Sequence, residues 1–324
     1  MVGINARIID GKRTLDRFLS IAIAKTIVIL QKRVQLAKLL EALERKPFLP
    51  DLGRGGDVEV KLVNKCVWIT YLQSTVYWIL LFLTMGFSVA ITLIRRMKSS
   101  DPQDWQYPYG PITIINVTYS PNFEIILAYQ VISMSCYAGY FCTNDLLVAA
   151  ALVHISCQFK ILQHSIRNVV KFCYKEMLKE TNIVETEDFN YNTSSIPFKY
   201  LKKGLERVVE YHLAIIKIAE ELENIFSGLL LVVFISTLAM VSLISFSDSR
   251  IFVAFGELLL GLGQTILICF WGEQVINESQ LVANAVFDMD FVGTDVRFQK
   301  GLILIMQRSQ KPVTLTANRY AHEM

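Results

Sequence analysis

The side chains able to do acid–base, metal or thiol chemistry are few in this sequence, and most sit in or beside long apolar runs. Asp145 is the one acid well inside such a run. A carboxylate at membrane depth is expensive and marks an ion or proton path, or else it sits at the interface, capped or paired with Lys or Arg. His154, His164 and His212 are spread along helical segments. A lone helical histidine is more often a polar packing residue than a base or ligand, and that is the reading here. The six cysteines, Cys66, Cys136, Cys142, Cys157, Cys173 and Cys269, read as small hydrophobes. A Cys136–Cys142 disulfide is disfavoured, because residues six apart on one helix point to different faces. Glu220, Glu221 and Glu223 form a charge run that is either a solvated helix face or part of a cation-attracting vestibule. No P-loop, GxSxG, HExxH or dinucleotide fingerprint is present, so no catalytic constellation and no cofactor site is expected.

The elements that carry these residues are membrane helices. Of 324 residues 53% are hydrophobic and only 19% charged, against about 25% charged in soluble domains. The mean hydropathy is +0.40. The excess is concentrated in runs of the roughly 20 apolar residues that cross a bilayer. Four spans are expected, at about 68–94, 124–144, 225–246 and 251–271, the last two joined as a tight hairpin by Ser247 to Arg250. The net charge of +3 and the absence of basic tracts exclude nucleic acid as a partner. Leu15 to Leu43 reads as a cytoplasmic helix or as the inner end of a further span. The N-terminus has no secretory signal pattern.

Loop charge sets the expected orientation. Arg45, Lys46, Arg54, Lys61 and Lys65 precede the first span, and Lys160 to Glu223 and the C-terminal tail are again rich in Lys and Arg. The loop from Lys98 to Asn122 is aromatic and nearly free of them. The N-terminal segment, the 155–223 region and the 272–317 region are therefore expected in the cytosol, packed as a helical anchor. Arg95 and Arg96 violate the pattern and are expected to snorkel to headgroups. Asn116, in the Asn116-Val117-Thr118 sequon of the outer loop, is the glycosylation candidate. The sequons at Asn192 and Asn277 read as chance matches. The fold class is all-α: one polytopic helical bundle over 1–324, with a cytoplasmic N-terminus and long helices extending into the cytosol.

Three stretches resemble the insect odorant receptor family. Thr143 to Leu162 carries Asp145, His154, Gln158 and Phe159 in the family's order. Tyr211 to Ser227 is similar to its His-led helix, with His212. The C-terminal run has Gly272, Glu278 and Ser279, then Arg308, Ser309, Gln310, Lys311, Pro312 and Leu315 of the closing motif. Phe287 and Phe291 stand where an aromatic Tyr and Trp are usual. The resemblance implies seven helices and a multi-pass protein of the plasma membrane of olfactory sensory neurons. It also implies a cation channel gated by small hydrophobic odorants, tetrameric with a shared co-receptor subunit. The four spans would be the third to sixth, so the chain is expected to be truncated at both ends, short of the first helix and of the pore-lining last one. The rival readings are a gustatory receptor of the same superfamily and a truncated, non-conducting product. A G-protein-coupled receptor would need the opposite orientation.

An odorant suits an apolar, aromatic-lined cavity with few polar groups. Tyr129, Ser133, Cys136, Tyr137 and Tyr140 recur at helical spacing in the outer half of one span. Phe82, Met85 and Val89 lie in the outer half of another, and Phe252 and Phe255 begin the fourth. Either these are packing and interfacial aromatics, or part of the Tyr129–Tyr140 stripe faces ligand. The second reading rests on the resemblance.

Overall fold

The computed structural model describes residues 26–27, 29–98, 105, 107–108, 120–181, 192–244 and 251–313. Among them the chain forms six α-helices, a single 3-10 turn and no strand. The helices are α1 (29–43), α2 (Leu52–Lys98), α3 (Asn122–Thr181), α4 (Phe198–Ile244), α5 (Ile251–Phe287) and α6 (Val296–Ser309). The 3-10 turn spans Thr193–Ser195.

Helix boundaries follow local chemistry. α3 starts directly after Pro121, carries Glu124 in its first turn and holds no proline over 60 residues. At 1.5 Å per residue it is about 90 Å long, three times a hydrocarbon core. α6 is capped by Asp295, whose carboxylate accepts from the Arg297 amide at 2.8 Å. It ends at Ser309, three residues before Pro312, which cannot continue a helix. α2 is broken near its start at Gly56, where φ is 58°.

Three helices, α2 from Gly56, α3, and α5 from Leu258, are long and apolar enough to cross a membrane. Residues 225–244 of the expected 225–246 span lie in α4, but side chains from 239 on, and residues 245–250 with the Ser247–Arg250 tip, fall outside the described residues. Each apolar run continues without a break into a helix with a polar face, as expected for α3, α4 and α5.

α3 is the axis of the bundle and packs on α2, α4 and α5, while α5 also packs on α2, α4 and α6. The large core lies at the far end from the α2–α3 connection, where Phe159, Leu162, Ile166, Leu201, Ile215, Val282 and Phe298 are fully buried. Two small clusters sit toward the other end, one around Tyr77, Leu81 and Leu146, the other around Tyr107, Phe123 and Ile126. The apolar stretch of α3 is covered by its neighbours, and those of α2 and α5 are mostly left open. The cysteines are free: Cys66, Cys142, Cys157 and Cys173 are buried as expected, whereas Cys136 and Cys269 are exposed.

α3 and α4 approach most closely at Gly204, where a Cβ would collide with Cys173 Sγ and lie 3.0 Å from Val169 Cγ2. Gly204→Ala is therefore expected to lower stability by about 1–3 kcal/mol through overpacking. Cys173→Ala in the same chain should recover part of that loss. Thermal unfolding in detergent reads both changes, and a neutral Gly204→Ala would show that the helices can separate freely there.

Candidate functional site

The residues singled out in the sequence fall into two groups, one at each end of the bundle.

The motif residues converge in the large core. Gln158 is 0% exposed, and its side-chain amide donates to the Phe48 carbonyl at 3.1 Å. Its Oε1 accepts from the Tyr211 hydroxyl, and its Nε2 lies 3.0 Å from His154 Nε2. One side chain of α3 thereby ties the α1–α2 connection to α4. Arg54 stacks its guanidinium 4.1 Å from the Tyr211 ring centroid and pairs with Glu59, which is buried. It also donates to the Leu49 carbonyl at 3.1 Å, and Glu59 accepts from the Asp51 amide at 3.2 Å. Sequence reading used Arg54 only as a flanking charge and did not find Glu59, because their partner Tyr211 lies more than 150 residues away.

Glu278 and Ser279 make a second node. Gln163 donates to the Glu278 carboxylate at 2.8 Å and to its carbonyl at 3.0 Å, and Lys160 lies 3.3 Å from the other carboxylate oxygen. The Ser279 hydroxyl donates to the Ile276 carbonyl at 2.7 Å and accepts from the Val313 amide at 3.2 Å. The Glu-Ser pair thus fastens α5 to α3 on one side and the closing segment to α5 on the other. Within that segment Arg308 donates to the Lys311 carbonyl at 2.7 Å, and buried Ser309 donates to the Ile305 carbonyl at 2.8 Å. Gln310 caps α6 with its backbone amide, Lys311 is exposed, and Pro312 is half-buried.

His212 is 5% exposed on α4, edge-on to Phe159 with ring centroids 6.5 Å apart. Burial, aided by the nearby Arg308 charge, lowers its pKa to about 4. It is neutral at pH 7 and packs against Phe159. Asp145 is 3% exposed, within electrostatic reach of the Tyr77 hydroxyl, which itself donates to the Leu260 carbonyl of α5 at 3.1 Å. It therefore stands at the crossing of α2, α3 and α5. Glu220 is exposed, and Glu221 and Glu223 are half-buried.

The aromatic candidates gather at the other end. Phe82 stacks on Trp78 at 5.9 Å, and the Trp78 indole lies over Gly139 of α3. Tyr137 and Tyr140 flank Phe141, with centroids at 4.5 Å and 5.6 Å. Phe255 adjoins Gly256, where a Cβ would lie 2.8 Å from Thr84 Cγ2, so α5 and α2 touch there. Met85 and Tyr137 are half-buried between helices, whereas Phe82, Tyr129, Ser133, Tyr140 and Phe255 face outward. The side chain of Phe252 and all of Asn116 lie outside the described residues. Trp78, Thr84, Gly139 and Gly256 were missed, although a glycine inside an apolar run is a signal of close backbone approach.

Arg96 does not hang free as a snorkelling side chain. It pairs with Glu124 at the start of α3 and stacks on Trp105 and Phe123 at 5.1 Å and 4.8 Å. That corrects the sequence expectation, which had no way to place Trp105 beside it.

The model of the 7tm odorant receptor family matches residues 18–322. Odorant receptor 67a of Drosophila melanogaster is 34% identical over 121 residues, covering 36% of this chain and 30% of that protein. Odorant receptor 22c of the same fly is 26% identical over 213 residues, covering 63% and 46%. The chain thus spans about a third to a half of the length of these curated relatives. Two solved structures share the fold. The olfactory receptor OR5 from Machilis hrabei superposes with a TM-score of 0.72 at 15% identity, over 93% of this chain and 71% of that one. Its complex with eugenol gives 0.70 at 16%, over 93% and 72%.

Two outcomes follow from the large core. Tyr211→Phe leaves the buried Gln158 oxygen without its donor and should cost about 1–3 kcal/mol in thermal unfolding. For His212, the unfolded side chain titrates near 6.5 and the folded one near 4, so the unfolded state binds the proton first as pH falls. Its contribution is complete above pH 6.5 and is lost toward pH 4, up to about 3 kcal/mol. Melting midpoints measured from pH 7 to 4.5 should fall less steeply in His212→Gln than in the parent.

Proposed function

As the chain belongs to the 7tm odorant receptor family, and is thereby a membrane receptor protein rather than an enzyme, we propose that it is a subunit of an odorant-gated cation channel. The observation that carries this reading is the convergence of the motif residues Gln158, Glu278, Ser279 and Ser309 on one core. The gating reading also draws on the eugenol complex of the OR5 structure that shares the fold. The partner would be a shared co-receptor subunit, in a tetramer, in the plasma membrane of olfactory sensory neurons.

In this reading the segments at about 68–94, 124–144, 225–246 and 251–271 cross the bilayer. The regions 155–223 and 272–317 form the cytosolic anchor, and the N-terminal side is cytosolic. The polar residues of the anchor then lie in water, and Arg45, Lys61 and Lys65 lie on the side that carries excess positive charge. Asn116 would sit outside and accept a glycan.

The ligand would be a small hydrophobic molecule seated where α2, α3 and α5 meet. Tyr137 and Met85 are half-buried there, with Tyr129, Ser133, Tyr140, Phe82 and Phe255 on the surrounding surfaces, and Phe252 would join them. A tyrosine supplies both a stacking face and one hydroxyl for a polar ligand group. Selectivity by shape is modest, since one methylene is worth about 1–3 kcal/mol.

The test is co-expression of the full-length receptor with the family's co-receptor in oocytes, under an odorant panel. Odorant-evoked cation current is the expected result, and current from no odorant despite surface expression of both subunits would defeat the reading. Tyr137→Ala should shift the half-maximal concentration of an active odorant about tenfold or more while surface expression is kept. An unchanged response profile would place the ligand elsewhere.

A further inference from the structure

The outward face of α2 has an order along its length that its packing does not require. Glu59 and Cys66 point into the core, and the opposite arc of the same helix carries Lys61, Asn64, Lys65, Trp68, Tyr71 and Leu72. At 100° per residue these six fall within about a third of the helix circumference. All six are exposed, Trp68 by 59% and Tyr71 by 70%. Among the described residues neither lysine is in an ion pair, unlike Lys203 and Arg207, which are both paired with Glu176. Beyond Tyr71 the same side is apolar and open: Val76, Ile79, Leu83, Phe87 and Ile94. Leu72 to Ile94 spans about 33 Å along the axis, which is the thickness of a hydrocarbon core. Reading up the helix, two lysines are followed by an interfacial Trp–Tyr pair and then by hydrocarbon-length apolar surface. Lys61 and Lys65 are one turn apart, so both ammonium groups can reach one phosphate-depth layer.

We propose that Lys61, Lys65 and Trp68 form a binding site for the headgroup of an anionic glycerophospholipid, its acyl chains lying along Leu72 and Val76. The charge complementarity selects a net-negative headgroup over a zwitterionic one, and the Trp68 indole offers its ring and N–H at the glycerol level. The inference rests on the reading above that this end of α2 lies at the cytoplasmic leaflet, where anionic lipid is concentrated.

The test is a titration of the purified full chain in detergent with short-chain phosphatidylserine or phosphatidylcholine, followed by thermal unfolding. Phosphatidylserine should raise the midpoint at lower concentration than phosphatidylcholine. In Lys61→Gln/Lys65→Gln the half-saturating phosphatidylserine concentration should rise about 30-fold, at roughly tenfold or less per lysine. Lys38→Gln, an equal loss of charge on α1, should leave it unchanged. Equal responses to the two lipids, or an equal phosphatidylserine response in parent and double variant, would overturn the site. So would a double variant that changes the particle mass without changing the lipid response, because the face would then be a subunit contact. The micelle has no sidedness and no odorant, so a failure here leaves the channel reading standing, and a silent oocyte leaves the titration interpretable.

Discussion

The Gln158 amide is the constraint on which the rest of the bundle depends. It is wholly buried on the longest helix, and an amide in that position must find its partners inside the protein. It finds them in the Phe48 carbonyl and the Tyr211 hydroxyl, which belong to the α1–α2 connection and to α4. Apolar contacts alone would let α3 slide or rotate against its neighbours, since one methyl is much like another. Hydrogen bonds to fixed atoms set one rotation and one height. With α3 set, Lys160 and Gln163 are brought, about half a turn and one and a half turns on, to the level of Glu278, and the height of α5 follows. Ser279 then fixes the closing segment through Val313. Each link specifies the place of the next.

The two ends of the bundle differ in kind. In the large core the buried Gln158, Gln163 and Ser279 are bonded across elements. The other end has two small clusters, aromatic contacts at 4.5–5.9 Å and broad open apolar faces on α2 and α5. A lattice of buried hydrogen bonds has few alternative arrangements, because each shift leaves a donor or acceptor unpaired. Aromatic contacts are less exacting and can reorganise around a guest. The two ends thus divide between them a tightly specified packing and a more tolerant one.

Much of the architecture was legible in the sequence because it follows from local pattern. Apolar runs that pass into polar-faced segments without a proline became α3, α4 and α5 as continuous rods. The resemblance to the odorant receptor family singled out Gln158, Glu278 and Ser279. What was not legible is pairing at long range. Glu59 looks like one acid in a polar stretch, and only the fold shows it buried against Arg54 with Tyr211 beside the pair. Gly204 looks like an ordinary helix interruption until Cys173 is seen against it. On the aromatic stripe, spacing grouped Tyr129, Ser133, Tyr137 and Tyr140 correctly on one side of α3. The stripe is wide enough, however, that Tyr137 turns toward the neighbouring helices while Tyr129 turns away.

Arg96 shows why charge counting works even where it is violated. A cation at this end of α2 runs against the charge pattern of the other loops. Here its guanidinium is held by Glu124 from the next helix and by the faces of Trp105 and Phe123. Arginine suits this place because its planar, weakly hydrated head tolerates an aromatic surface that would strip water from an ammonium at greater cost. A charge satisfied by its own bundle makes little further demand on headgroups or field. Lys61 and Lys65, at the opposite end of the same helix, are in no ion pair among the described residues and keep their demand for anions. The two ends of α2 therefore differ in how their charge is satisfied, a difference sharper than the bare count of Lys and Arg at its two ends.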